Sequence, residues 1–285
     1  MSTHNKNTIK IKGQLIDLNH KLVMGILNLT PDSFFDGGRL TSMKNILQKA
    51  ENMLTEGASI LDIGGYSSRP GAAEISDETE LSRIIEPILQ IKKRFPKSII
   101  SVDTYRANVA HIAIESGVDI VNDISAGTFD PKMPELIAKN NFPYIIMHMQ
   151  GKPTNMQNNP SYDNVVKDIM SWFSDRISYF HSLGITDLII DPGFGFGKTI
   201  PHNYELLAGL DLFKQFNLPI LVGLSRKSMI YKAIDTEPEY ALNGTSVLQT
   251  IALMKGADIL RVHDVKEAVE AIKLVDLYNN PKRNR

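Results

Sequence analysis

The chain has 285 residues, 42% hydrophobic and 22% charged, a composition that excludes a wholly disordered chain and supports a continuous core. Its 31 basic and 32 acidic side chains nearly cancel, which excludes the broad positive field of a nucleic-acid or anionic-membrane binder. Cysteine is absent, so disulfides, thiolate zinc sites and cysteine nucleophiles are excluded as well.

The opening MSTHNKNTIK has no apolar stretch of the kind a secretion signal carries. No apolar run approaches the ~20 residues that span a bilayer, so the sequence reads as a cytoplasmic protein. Residues 8–18 alternate apolar and polar on both sides of Gly13, which predicts a β-hairpin that plugs one end of the main domain. From residue 22, short apolar runs alternate with longer amphipathic stretches. Strands are expected at 22–27, 59–63, 99–102, 118–121, 143–147, 187–190, 219–224 and 257–262. Helices are best formed at 41–56, 77–94, 106–116, 161–183, 203–215, 241–255 and 264–278. Gly57, Gly117, Gly184 and Gly256 follow four of them, where glycine supplies a left-handed cap. A doubly wound open sheet also has alternating elements, but eight evenly spaced units favour closure. The expected fold is α/β, a single (β/α)8 TIM barrel over 22–279, with the hairpin segment at 1–21 and a basic tail at 280–285.

In such barrels chemistry stands at the C-terminal ends of the strands. Here those ends carry, in order, Asn28, Asp62, Asp103, Asn122, His148, Asp191, Ser225 to Lys227, and Arg261 with His263. Any single Asp or Asn after a strand is explained by a helix cap or an Asx turn. A polar residue at all eight ends points to a shared site. Asp103, Asn122 and Asp191 offer acceptors and one amide donor pair, and Lys227 adds a cationic donor. That set suits a flat heterocycle with an amino-pyrimidinone edge, whose ring N–H and exocyclic amine pair with a carboxylate. It equally describes an Asp–Lys ion pair that holds the barrel mouth. Arg261 and His263, two residues apart on one strand, point the same way and resemble an anion clamp. Late-strand loops are where barrel enzymes bind phosphate, so a diphosphate is a reasonable guest. Asn28 offers a neutral oxygen to Mg2+, which keeps several waters and takes its other oxygens from that diphosphate. Asp62 and His148 read as supports of the mouth.

Two loops look built to cover a ligand. Residues 30–39 combine turn formers with Phe34 and Phe35, and residues 64–72 set Arg69 and hydroxyls between glycines. The Gly-Lys-Thr at 197–199 fails as a phosphate loop, because Pro192 stands where that motif needs its first glycine. The glycines after Asp191 instead let the backbone and two phenylalanines approach a flat ligand closely.

The strings MGILNLTPDSFFDGG (24–38), GGYSSRPGA (64–72), SVDTYR (101–106), VNDISAG (121–127), MHMQG (147–151), DPGFGFGK (191–198), VGLSRKSMI (222–230) and RVHDV (261–265) resemble, in unbroken order, those of the dihydropteroate synthases. The resemblance implies a folate-pathway transferase joining 6-hydroxymethyl-7,8-dihydropterin diphosphate to p-aminobenzoate, with sulfonamides as competitors and a homodimer formed through barrel helices. It places the pterin on Asp103, Asn122, Asp191 and Lys227, with Met147 as an apolar wall. The diphosphate falls on Asn28, Arg261 and His263, with Asn28 also the Mg2+ ligand. The p-aminobenzoate side falls on Ser68, Arg69, Pro70, Phe196, Ser225 and Lys227, while Phe34 and Asp36 belong to the first loop. Asp103, Asp36 and Lys227 carry the catalytic roles. Neutralising the departing diphosphate lets the C–O bond break largely before the amine attacks, and a helix starting near Ser225 receives the p-aminobenzoate carboxylate. Tyr66, Ser68 and Phe35 depart from residues common in the family and bear on loop dynamics and drug sensitivity. Two rivals share the pterin barrel: a methyltetrahydrofolate-binding methyltransferase and a non-catalytic pterin-binding paralogue. Neither needs the Ser-Arg-Pro loop together with the Arg261/His263 clamp.

Overall fold

A computed structural model describes residues 8–11, 13–18, 20–30, 38–67, 71 and 74–281. Strands β1 (Thr8–Ile11) and β2 (Gln14–Asp17) form the expected antiparallel hairpin, with Thr8 opposite Asp17 and Ile11 opposite Gln14. The eight-stranded sheet comprises β3 (Leu22–Asn28), β4 (Ile60–Gly64), β5 (Ile99–Asp103), β6 (Ile120–Asp123), β7 (Tyr144–Met147), β8 (Leu188–Asp191), β9 (Leu221–Val222) and β10 (Ile259–Val262). All pairings are parallel, in the spatial order β8-β7-β6-β5-β4-β3-β10-β9. A bridge between Ile190 and Ile220 joins the two ends and completes the barrel.

The interior follows from the two-residue period of the strands. Met24, Ile60, Ile120, Ile145, Ile189, Leu221 and Ile259 meet inside the barrel, and Ile9, Ile11 and Leu18 close over them from the hairpin side. The hairpin therefore plugs the N-terminal end, leaving the other end open for chemistry. Each of its three buried aliphatics contributes roughly 1.5–3 kcal/mol by burial.

The strands' other faces pack against α1 (Gly38–Glu56), α2 (Asp77–Arg94), α3 (Ala107–Glu115), α4 (Met133–Asn140), α5 (Val165–Ser182), α6 (Ile200–Ala208), α7 (Ser228–Tyr231), α8 (Leu242–Lys255) and α9 (Val265–Asn279). In α2 the reasons are local. Ser76 Oγ accepts from Thr79 N at 3.3 Å, acids fill the first turn, bases fill the last, and Ile84, Ile88 and Ile91 form the buried stripe. The glycines expected to end helices at 57, 117, 184 and 256 all have positive φ.

Four elements differ from the sequence expectation. β9 covers two residues instead of 219–224, because Pro219 has no N–H for the ladder and the chain turns at Leu224, whose carbonyl accepts from Lys227 N. The helix expected at 203–215 is α6 followed by a 3₁₀ segment, Leu210–Phe216, broken at Gly209, where a Cβ would come within 2.8 Å of Val166. Helix α4, absent from the prediction, is only eight residues long and carries Pro134 in its first turn. The helix expected near Ser225 begins at Ser228 and makes a single turn.

Candidate active site

Strand register puts the predicted residues at one level. Asn28 pairs with Gly64, Gly64 with Asp103, and Asp103 with Asn122, while Met147 pairs with Asp191. All lie on the inward face, above the aliphatic plug. Asp103, Asn122 and Asp191 are each at most 6% exposed. Burial pushes the Asp103 carboxyl up, against the pull of Arg261, and likewise raises Asp191 against the pull of Lys227.

Arg261 enters this level from β10. Its Nε donates to Asp62 Oδ2 at 2.6 Å and its Nη2 to Asp103 Oδ2 at 2.7 Å. Burial opposes its charge, but the Asp62 and Asp103 carboxylates outweigh burial and hold the guanidinium above an ordinary arginine. Asp62, fully buried one layer below Gly64, also accepts from Asn122 Nδ2 at 3.2 and 3.4 Å. One carboxylate thus orients both the Asn122 amide and the strand-end arginine. This is the support expected of it, with both partners identified.

Beside Arg261, His263 makes its own contacts at the end of β10. His263 Nδ1 lies 3.1 Å from Ser225 Oγ, which also accepts from His263 N at 3.2 Å. The residue is exposed at the rim, yet the protein packed round the ring and the Arg261 charge lower its pKa to about 4. Near neutral pH it is an uncharged hydrogen-bonding group beside the Arg261 cation. Asn28 stands half-buried at the end of β3, its Oδ1 facing Gly64.

Lys227 occupies the opposite side. Its Nζ donates to Phe194 O and sits 4.7 Å from the centre of the Phe196 ring. Burial lowers its pKa to about 8, partly offset by Asp191. The glycine-rich loop makes that approach possible. Gly193, at φ +72, has its α-carbon so close to the His148 carbonyl that a Cβ would lie 1.9 Å from the oxygen. Lys198 Nζ, buried beneath the loop, donates to Gly193 O at 2.9 Å, Phe196 O at 3.0 Å and His148 Nδ1 at 3.1 Å. Burial brings Lys198 down to about 7 and His148 to about 2, so His148 stays neutral, and its Nε2–H tautomer leaves Nδ1 free to accept from Lys198.

Met147, Tyr66 and Ile124 form an apolar cluster at the mouth, flanked by Ile75, Tyr105, Met149 and Phe196. Tyr66 is buried edge-on to Tyr105, with ring centres 5.4 Å apart, and its hydroxyl makes a long 3.5 Å contact to Asp103. Tyr66 therefore adds to the wall of the site. Phe34, Phe35 and Asp36, the Ser68-Arg69-Pro70 run and residues 282–285 of the basic tail lie outside the described residues.

Three features escaped the sequence reading. Asp123, next to Asn122 but facing outward, accepts from Ser125 N, Ser125 Oγ, Gly127 N and Tyr144 Oη and shapes the loop after β6. The Asp-x-Ser spacing of an Asx turn was its only signal. Arg226, held at φ +54, pairs with Asp264 through Nε at 2.9 Å and Nη2 at 2.8 Å, fixing Ser225 and Lys227 on either side. Lys198 is the third.

A closed barrel with two buried carboxylates, an amide, a lysine and an arginine facing inward at the C-terminal ends of its strands defines the class: a (β/α)8 enzyme whose site is built around a flat, amine-bearing ring. Residues 24–263 match the family described as pterin binding enzyme, and the chain belongs to that family. It is 46% identical over 276 residues to the dihydropteroate synthase of Escherichia coli (strain K12), covering 96% of this chain and 97% of that one. With the Haemophilus influenzae enzyme of the same name the identity is 45%, covering 91% and 94%. Among solved structures, Yersinia pestis dihydropteroate synthase with a sulfonamide drug complex superposes with a TM-score of 0.90 at 44% identity, covering 96% and 99%. The Xanthomonas albilineans enzyme with 4-aminobenzoic acid gives 0.89 at 36%, covering 96% and 98%.

Proposed function

We propose that the chain condenses 6-hydroxymethyl-7,8-dihydropterin diphosphate with p-aminobenzoate, giving 7,8-dihydropteroate and diphosphate. The observation that carries the reading is the buried inward row of Asp103 and Asn122 facing Asp191, with Lys227 alongside. Asp103 and Asp191 accept from the ring N–H and exocyclic amine, Asn122 gives one donor and one acceptor, and Lys227 donates to a ring acceptor. Met147 forms the apolar wall. Arg261 and His263 contact the diphosphate. Ser68, Arg69, Pro70, Phe196 and Ser225 seat p-aminobenzoate, and Asp36 comes from the first loop.

In the reaction the pterin methylene C–O bond breaks and its electron pair leaves with diphosphate. The amine lone pair then forms the C–N bond and one N–H proton is lost. Buried carboxylate at Asp103 and Asp191 stabilises the pterin cation between these events, because charges interact strongly where water is excluded. Burial raises the pKa of both groups, with neighbouring carboxylates adding to it at Asp103, and an incoming cationic ring relieves that cost. Mg2+ fits a site of this kind. Among the described residues there is no cluster of three or more acidic or histidine ligands, and the neutral Asn28 amide suits an ion that brings water and diphosphate oxygens with it. When bound, the metal would supply Lewis-acid neutralisation of the diphosphate.

No helix among the described residues is long and apolar enough to cross a membrane, which is consistent with the cytoplasmic placement proposed here. A homodimer is part of the same reading. Val247, Ile251 and Met254 line one exposed face of α8, and Leu274, Leu277 and Tyr278 are exposed on α9 beside it. The test is to mix the purified chain with pterin diphosphate, labelled p-aminobenzoate and Mg2+, with and without chelator. Labelled dihydropteroate is expected only without chelator. Pterin binding with no product would favour the non-catalytic paralogue, and methyl transfer from methyltetrahydrofolate the other rival.

A further inference from the structure

Lys198 belongs to the one motif that the proposed function leaves unused. It is 3% exposed, and no carboxylate lies within ion-pair distance of its ammonium among the described residues. Instead Nζ is ringed by four acceptors: Gly193 O at 2.9 Å, Phe196 O at 3.0 Å, His148 Nδ1 at 3.1 Å and His148 O at 3.4 Å. Two of these come from the loop after β7 and two from the loop after β8. Burying an amine without a counter-ion is costly, and a methionine of similar length would fill the same space without that cost.

The two loops are also interlocked by contact. A Cβ on Gly193 would meet the His148 carbonyl at 1.9 Å, and one on Gly197 the Gln150 carbonyl at 2.4 Å. The ammonium bridges that seam. Through Phe196 O it fixes the residue whose ring lies 4.7 Å from Lys227 Nζ, two positions after the carbonyl that accepts from Lys227. Asp103 and Asn122 hang on a separate network through Arg261 and Asp62, which shares no hydrogen bond with Lys198.

We propose that Lys198 is a positioning residue for the amine substrate, pinning the β7 and β8 loops together so that the Phe196 ring is held against Lys227. The proposal rests on the p-aminobenzoate reading of Phe196 given above. The pin lies under the p-aminobenzoate side, while Asp103 and Asn122 on the pterin side are secured elsewhere; Asp191, which accepts from Gly193 N at 2.8 Å, shares the pinned loop.

The test compares wild type, Lys198→Met, Lys198→Arg, Phe196→Ala and the Lys198→Met/Phe196→Ala double variant, with steady-state kinetics for both substrates. Lys198→Met is expected to raise KM for p-aminobenzoate by about tenfold or more, the loss of one well-placed contact. KM for pterin diphosphate should rise at least about threefold less than KM for p-aminobenzoate, and Lys198→Arg should recover part of the loss. Added to Phe196→Ala, Lys198→Met should cost less than about twofold more, because it acts through that ring. Equal rises in both KM values, or full additivity with Phe196→Ala, would overturn the proposal. Should Lys198→Met fail to fold, Lys198→Arg carries the same KM comparison. The wild-type protein provides a further check: 15N shifts of the His148 ring must show Nδ1 unprotonated and Nε2 protonated, and the opposite tautomer would remove the Lys198–His148 bond. Turnover by wild type reports on the proposed function itself, while the 15N result judges the pin whatever reaction the chain catalyses.

Discussion

Asp62→Asn is a sharp perturbation of the site, because it changes one atom in a residue that no solvent reaches. The carboxylate now accepts from Arg261 Nε at 2.6 Å and from Asn122 Nδ2 at 3.2 and 3.4 Å. An amide keeps one acceptor and turns an NH2 toward a donor, so either Arg261 or Asn122 loses its partner. A charge-assisted hydrogen bond contributes ~1.5–3 kcal/mol, and breaking a buried ion pair costs ~3–5 kcal/mol. Arg261 keeps Asp103 at 2.7 Å, which places the expected loss near the lower figures, about 2–3 kcal/mol. For a chain of this size that is a fall in Tm of roughly 4–12 °C. Displacing Asn122 should also lower kcat/KM for pterin diphosphate about 10–100-fold. Urea unfolding and steady-state kinetics read the two effects. A double-mutant cycle with Arg261→Met should show coupling above about 1 kcal/mol. Stability within ~0.5 kcal/mol of wild type, or simple additivity in the cycle, would refute the reasoning.

Lys227 loses its proton as pH rises through about 8, so kcat/KM for pterin diphosphate should fall above that pH; Lys227→Arg, which stays charged, should flatten the limb at a lower plateau. An unchanged limb in the variant would assign it to another group. Gly193→Ala forces a side chain into a left-handed backbone against the His148 carbonyl and should cost roughly 2–5 kcal/mol in urea unfolding. Gly184→Ala, with nothing within 4 Å of its Cβ, should cost only about 1 kcal/mol. If the proposed homodimer uses this face, light scattering should show a dimer for wild type and a monomer, with the barrel still folded, when Val247 and Leu274, 51% and 67% exposed, are replaced by glutamate.

The barrel was legible because strand and helix periods differ, and the polar strand ends were legible because each follows an apolar run. The inward level of Asn28, Asp103, Asn122 and Asp191 follows from that pattern alone. What remained hidden depends on contacts that spacing does not encode. Asp62 meets Arg261 across 199 residues and Asn122 across 60, so its part in orienting both could not be read locally. Lys198 is held by carbonyls and a histidine nitrogen, and carbonyls leave no mark in a sequence. The short β9 and the one-turn α7 follow from Pro219 and a tight turn at Leu224, where hydrophobicity alone suggested a longer strand. Strand parity set His263 beside Arg261, but the contact of its ring with Ser225 joins two strand ends and could not be read locally.

The central claim is that the buried Asp103, Asn122 and Asp191 hold a pterin whose cation they stabilise. It is tested most directly by Asp103→Asn, measuring dihydropteroate formation from labelled p-aminobenzoate alongside calorimetric binding of the pterin. Wild type should form product, and the variant should retain measurable pterin binding while kcat falls about 100-fold or more, as expected on removing a charge that acts mainly in the transition state. Unchanged turnover in a variant that still binds the pterin would contradict the account.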